Sequence, residues 1–232
     1  MLQIIQNDPE VPPGIITEQL DHLGIFFATH HPYLGDPLPE LRDVSALIVL
    51  GGAMGANDDA RHPFLRDLKS FIRQAVQSET PYLGLCLGGQ LLAAAFKARV
   101  VSNRWEELGT MDVRLTDAGR HDRLFSGVDE LFTTFQWHHD SFDLPEGATL
   151  LAASTACPHQ AFRVGDTAWG TQFHPEVTEK IIRDWCAWDS ATRAGSDAMV
   201  ARFRAAGQSC LRTAHLLIEN FLKAARLYAV KN

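Results

Sequence analysis

Long apolar runs are missing from this 232-residue chain. Nothing approaches the roughly 18 consecutive apolar residues of a membrane helix, and Met1-Leu2-Gln3-Ile4-Ile5 lacks the basic stretch that opens a secretory signal. The expectation is a cytoplasmic protein with no membrane partner. Cysteine is scarce: there are four, at 86, 157, 186 and 210, with no Cys-x-x-Cys pair. That excludes a disulfide scaffold and suits a reducing compartment. Repeats, low-complexity segments and a Gly-x-x-x-x-Gly-Lys phosphate loop are also absent. The net charge of −7 comes without an acidic run and argues against a nucleic-acid partner. What remains is a chain with 46% hydrophobic residues, enough for one α/β domain with a full core across 1–232.

The rest of the chain is organised around Tyr82-Leu83-Gly84-Leu85-Cys86-Leu87-Gly88-Gly89-Gln90. An apolar strand that ends in Gly-x-Cys-x-Gly and runs into an Ala/Leu helix has the form of a nucleophile elbow, with Cys in place of Ser. Such a turn is tight, so Gly84 and Gly88 are expected where a β-carbon would strike facing backbone. Cys86 then protrudes at a helix N-terminus, where the dipole and free N–H groups favour thiolate over thiol. The N–H of Leu87 points to where an attacked carbonyl would gather negative charge.

A second element comes at Trp169-Gly170-Thr171-Gln172-Phe173-His174-Pro175-Glu176. Residues 169–173 read as a short buried strand, and Pro175 makes the chain leave it after His174. A His at the carboxyl end of one parallel strand can reach a Cys at the carboxyl end of its neighbour. Glu176 is spaced to turn back onto the other ring nitrogen and fix the tautomer, completing a nucleophile, base and orienter.

Around these lie short strands at 2–6, 25–29 and 44–50, the last apolar enough for a buried parallel strand. Residues 15–23 and 63–78 read as amphipathic helices, the second packing Phe64, Leu65, Leu68, Phe71, Ile72, Ala75 and Val76 behind an exposed Asp58-Asp59. His30 and His31 read as solvated loop residues. Residues 108–115 and 131–137 alternate like antiparallel strands with one wet face, in a small antiparallel extension, while 150–154, 161–164 and 169–173 finish the sheet and Gly165-Asp166 makes a hairpin turn between two of them. Helices at 178–188 and 197–228 form a C-terminal extension over about 178–232, with Leu211, Ala214, Leu217, Ile218, Phe221 and Leu222 as a packing stripe. The fold expected is an open, mostly parallel α/β sheet flanked by helices, flavodoxin-like. After the strand at 44–50, Gly51-Gly52-Ala53-Met54-Gly55 is a loop whose N–H groups can turn toward a ligand. Trp137-His138-His139-Asp140 admits structural, metal-binding or substrate-binding readings, and zinc is disfavoured because the ligands lack i, i+4 spacing.

Gly-Leu-Cys-Leu-Gly-Gly-Gln together with Phe-His-Pro-Glu resembles the class I (triad) glutamine amidotransferases, in particular stand-alone proteins similar to the glutaminase domain of GMP synthase. The resemblance spans about Gly51 to Glu176. It implies Cys86, His174 and Glu176 as the catalytic triad, and Gly52 with Leu87 as the oxyanion hole. Ala53 stands where the family often carries Pro. The family's Ser-His-Gly-Asp segment over the bound glutamine is matched at His138 and Asp140, with His139 replacing the glycine; Gln90 would also hydrogen-bond the substrate. The implied activity is hydrolysis of the glutamine side-chain amide through a Cys thioester, without cofactor or metal. A separate synthetase subunit would receive the ammonia. The other readings are a free-standing γ-glutamyl peptidase and a catalytically silent binding relative. The segment 185–204 exceeds a minimal glutaminase domain and would either cover the cleft or join subunits.

Overall fold

The structure, a computed structural model, describes residues 1–228. The end of the expected extension, 229–232, lies outside them. Among the described residues, eleven strands and seven α-helices follow in the order β1 Leu2–Ile5, α1 Ile15–His22, β2 Phe27–His30, β3 Ala46–Val49, α2 Phe64–Gln77, β4 Tyr82–Leu85, α3 Leu87–Ala95, β5 Val100–Val101, β6 Glu107–Leu115, α4 Asp117–Arg120, β7 Leu131–His138, β8 Ser141–Phe142, β9 Thr149–Ala153, β10 Ala161–Val164, β11 Ala168–Thr171, α5 Glu179–Trp188, α6 Ser196–Ala205 and α7 Gly207–Ala224.

Nine strands form one sheet in the order β2-β1-β3-β4-β11-β10-β9-β6-β7. The first five run parallel, and β10, β9, β6 and β7 continue the sheet as an antiparallel wing. A separate antiparallel pair joins β5 to β8. This is the open α/β sheet that the alternation of apolar strands and amphipathic helices predicts, with the antiparallel extension fused to its edge.

Both faces of the parallel half are buried, which is why its strands read as unbroken apolar runs. Leu2, Ile4, Ala46 and Ile48 face the side covered by α1 and α7, while Ile5, Leu47, Val49 and Tyr82 face α2 and α3. A third apolar cluster gathers Phe135, Ile181, Ile182, Trp185 and Val200 beneath α5 and α6.

Four expectations are corrected. The C-terminal helix breaks at Ala206 into α6 and α7. The two pieces serve different cores, Val200 packing with α5 and Leu217 to Leu222 with the sheet, and one straight axis would not reach both. Leu211 consequently lies outside the packing stripe, exposed. Asp58 and Asp59 are half-buried and partnered, Asp58 accepting from the Gly55 N–H and Asp59 from Lys69 Nζ. His30 ends β2 instead of lying in a loop, and its Nε2 is 2.9 Å from Gln3 Oε1.

Candidate active site

Cys86 sits at φ +48°, ψ −105°, between β4 and α3. A non-glycine residue holds such a backbone only where its surroundings impose it. Here they do: a β-carbon on Gly84 would lie 2.4 Å from the Gly88 carbonyl carbon, and one on Gly88 would lie 2.1 Å from the Val49 oxygen. The expected need for glycine at both positions is met. The turn is pinned further by the Cys86 N–H donating to the Thr171 carbonyl (2.8 Å) and by the Tyr82 hydroxyl donating to the Gly88 carbonyl (2.8 Å).

β4 and β11 are parallel neighbours, Leu85 opposite Thr171, so residues 86 and 174 leave the sheet at the same edge. The His174 N–H donates to the Phe135 carbonyl (2.8 Å), which holds the segment after β11 against β7. The ring is buried, with Nδ1 2.6 Å from Glu176 Oε1. Cys86 lies close by, its β-carbon and the ring's Cε1 both flanking Gly51. Burial alone would favour the neutral ring, but the Glu176 carboxylate and Cys86 outweigh it, and the imidazole is pushed up from 6.5 to about 10. Glu176 itself is seated by the N-terminal segment. Its backbone carbonyl accepts from the Ile15 N–H (3.0 Å), and it passes so close to Gly14, at φ +52°, that a β-carbon there would lie 2.0 Å from the Glu176 oxygen.

The loop after β3 closes over this pair. A β-carbon on Gly51 would come within 2.9 Å of the His174 Cε1 carbon and 3.7 Å of the Cys86 β-carbon, so the loop backbone runs directly beside both side chains. Gly52 is packed against the Leu87 side chain, and Leu87, first in α3, has no intrahelical acceptor for its N–H. Asp8 fixes the loop by accepting from the Ala53 N–H (3.0 Å).

Cys86 and His174 open into a cleft of about 430 Å³ that Gln90, His138 and Asp140 also line. Gln90 Nε2 reaches the Asp140 backbone carbonyl (3.3 Å) and Gln172 Oε1 (3.4 Å), and Gln172 Nε2 donates to the Cys86 sulfur (3.5 Å). Gln172 is a contact to the sulfur that the sequence reading missed, although it lies inside the segment already singled out. The Asp140 carboxylate accepts from Ser102 Oγ (3.1 Å) and the Asn103 N–H (3.2 Å). His138 turns away from the nucleophile: Nδ1 donates to the Asp140 carbonyl (3.1 Å) and Nε2 is 3.0 Å from Glu107 Oε2. It therefore props the turn that carries Asp140.

The three residues weighed as metal ligands diverge, His138 onto Glu107, His139 onto Glu106 (2.6 Å) and Asp140 onto Ser102. A different trio converges: donor atoms of Glu107, His138 and Cys157 lie within 4.8 Å of one another, all buried. This trio is separate from Cys86, His174 and Glu176. Glu107 already accepts from Ser154 Oγ (2.6 Å) and Gln160 Nε2, so the group is complete as a hydrogen-bonded network. Burial pushes the Cys157 thiol up to about 11, and Cys210 likewise.

The segment after residue 184 forms one wall of the cleft through Trp185, Trp188 and Asp189. Trp185 stands edge-on to His174 with centroids 4.9 Å apart, and its Nε1 donates to the Glu10 carbonyl (2.5 Å).

The family model for glutamine amidotransferase class-I matches residues 16–183. The chain belongs to the class I glutamine amidotransferase family. Among relatives of this amidotransferase-family chain, the glutamine amidotransferase-like protein YfeJ of Salmonella typhimurium is 32% identical over 154 residues, covering 65% of this chain and 64% of the relative. A glutamine-hydrolysing GMP synthase subunit of Thermoplasma acidophilum is 31% identical over 140 residues, covering 60% and 66%. The chain thus spans just under two-thirds of the length of these two relatives. A glutamine amidotransferase of Thermotoga maritima, solved by crystallography, superposes with a TM-score of 0.86 at 27% identity, covering 97% of each chain. No helix among the described residues is long and apolar enough to cross a membrane.

Proposed function

We propose that the chain hydrolyses the side-chain amide of glutamine through a thioester on Cys86. The observation that carries this reading is the placement of Cys86 on a strained elbow beside a buried His174 whose far nitrogen is 2.6 Å from Glu176. The Cys86 sulfur attacks the amide carbon, and the Gly52 and Leu87 N–H groups hold the oxyanion. His174 gives a proton to the leaving nitrogen, then takes one from the water that cleaves the thioester, while Glu176 steadies the imidazolium. Gln90 and Asp140 receive the amino-acid end of the substrate, with Asp140 placed to meet its ammonium.

The ammonia goes to a separate synthetase, in keeping with the relatives named as subunits of GMP synthase. A second reading, a free-standing hydrolase of γ-glutamyl amides, is favoured by the tryptophan wall that extends the cleft beyond His174. A silent binding relative is the third, and the complete set of Cys86, His174 and Glu176 speaks against it. Incubating the purified chain with glutamine and with glutathione, and measuring ammonia and free glutamate, tests the three. Ammonia from glutamine supports the first, and glutamate from glutathione the second. Neither product, in wild type and Cys86→Ser alike, overturns both enzymatic readings.

A further inference from the structure

The wall beside His174 is built largely of indole rings and carboxylates. Trp185 lies edge-on to the imidazole, Trp188 follows one turn later and is exposed at the cleft mouth, and Trp137 packs on Trp185 with centroids 5.5 Å apart. Glu10 and Asp189 lie along the same wall: the Glu10 backbone is tied to Trp185, and Asp189 follows Trp188 directly. No lysine or arginine lines the cleft among the described residues, and neither carboxylate is paired with one. Among the described residues the Asp189 carboxylate accepts only from the Ala191 N–H (3.0 Å).

The proton donor to a leaving nitrogen has to stand beside it. Whatever substituent that nitrogen carries must then leave the reaction centre past Trp185 toward Trp188. Indole faces attract organic cations, and unpaired carboxylates at the rim add to that attraction and repel anions. The space fits the demand, since about 430 Å³ is within the range of sites that enclose whole drug-sized ligands.

Building on the Cys86 reading above, we infer that this cleft also takes γ-glutamyl amides whose leaving amine carries a second, cationic group, such as the monoamide of an aliphatic diamine. The reaction balances without a co-reactant. Sulfur bonds to the γ-carbonyl carbon as the C–N bond breaks, the diamine departs with the His174 proton, and water releases glutamate and restores the thiol.

The test compares the γ-glutamyl monoamide of 1,4-diaminobutane with the neutral γ-glutamyl pentylamide, a chain of matching length. Wild type should show kcat/KM about tenfold higher for the cationic substrate, a ratio that shrinks as salt is raised. The Glu10→Gln/Asp189→Asn double variant should bring the ratio close to one. Calorimetry of both amides on Cys86→Ser reads the same preference without turnover. A wild type that fails to cleave glutamine but still binds the cationic amide more tightly would sink the proposed hydrolysis and leave this wall's preference standing. Equal affinities or rates for the two amides, or a preference untouched by the double variant, would overturn this inference whatever becomes of glutamine.

Discussion

Glu176 Oε1 lies 2.6 Å from Nδ1 of His174, both side chains buried and only one residue, Pro175, between them. A carboxylate that close selects the tautomer whose other nitrogen faces Cys86. Glu176→Gln keeps an oxygen at that position and removes the charge. Turnover of glutamine should fall by about 10²–10⁴ with the fold retained, as steady-state kinetics and circular dichroism would show together. An unchanged kcat would mean that Glu176 has no part in the reaction.

The same pair makes stability depend on pH. His174 is pushed up from 6.5 to about 10, so its folded value lies above its unfolded one. The stabilisation is fully present below about pH 6.5 and is lost as pH rises through about 10, an effect on the order of a few kcal/mol. Urea unfolding at pH 6, 8 and 10 should show wild type losing stability across this window and His174→Gln losing much less. Parallel slopes would contradict the pairing.

Alkylation separates the thiols. Burial holds Cys157 and Cys210 at about 11, leaving almost no thiolate at pH 7.5, whereas Cys86 opens into the cleft. Brief treatment with iodoacetamide followed by peptide mass mapping should find Cys86 modified first, with activity lost in proportion. Cys86→Ala should remove essentially all turnover. Faster labelling at 157 or 210 would count against this ordering.

Glycines around the elbow should fail in two ways. A β-carbon on Gly88 meets the Val49 carbonyl inside the core, so Gly88→Ala should lower stability by about 1–3 kcal/mol or more. A β-carbon on Gly51 meets the edge of the His174 ring and the Val11 side chain, so Gly51→Ala should displace the imidazole. Its kcat/KM should drop by about 10² with a smaller change in thermal midpoint. Comparing midpoints and rates for the two variants checks this, and equal behaviour would refute it.

The geometry of the candidate site was legible in the sequence wherever chemistry and backbone demands coincide in a few consecutive residues. Gly84, Cys86 and Gly88 specify a turn, and His174, Pro175 and Glu176 specify an exit from a strand, so each could be read locally. The parallel character of the sheet followed from apolar runs separated by helical periods. What depends on distant packing was hidden. Nothing near Gln172 announces that its amide meets the Cys86 sulfur, and Glu107 gives no local sign that it holds His138 from the neighbouring strand. The break at Ala206 was equally silent, because 197–228 keeps a helical pattern throughout while the cores that its halves serve lie on different sides of the molecule. Trp185 and Trp188 could be seen to be close, but not which wall they build.

Gly14 sits directly under the Glu176 carbonyl, in a conformation that side chains resist. The turn leading into the first helix is therefore scaffolding for an acid near the far end of the chain. Lengthening that turn, crosslinking it, or exchanging its glycine should silence turnover well before the protein melts. An apparently dispensable stretch near the amino terminus would thus serve as a remote handle on the chemistry.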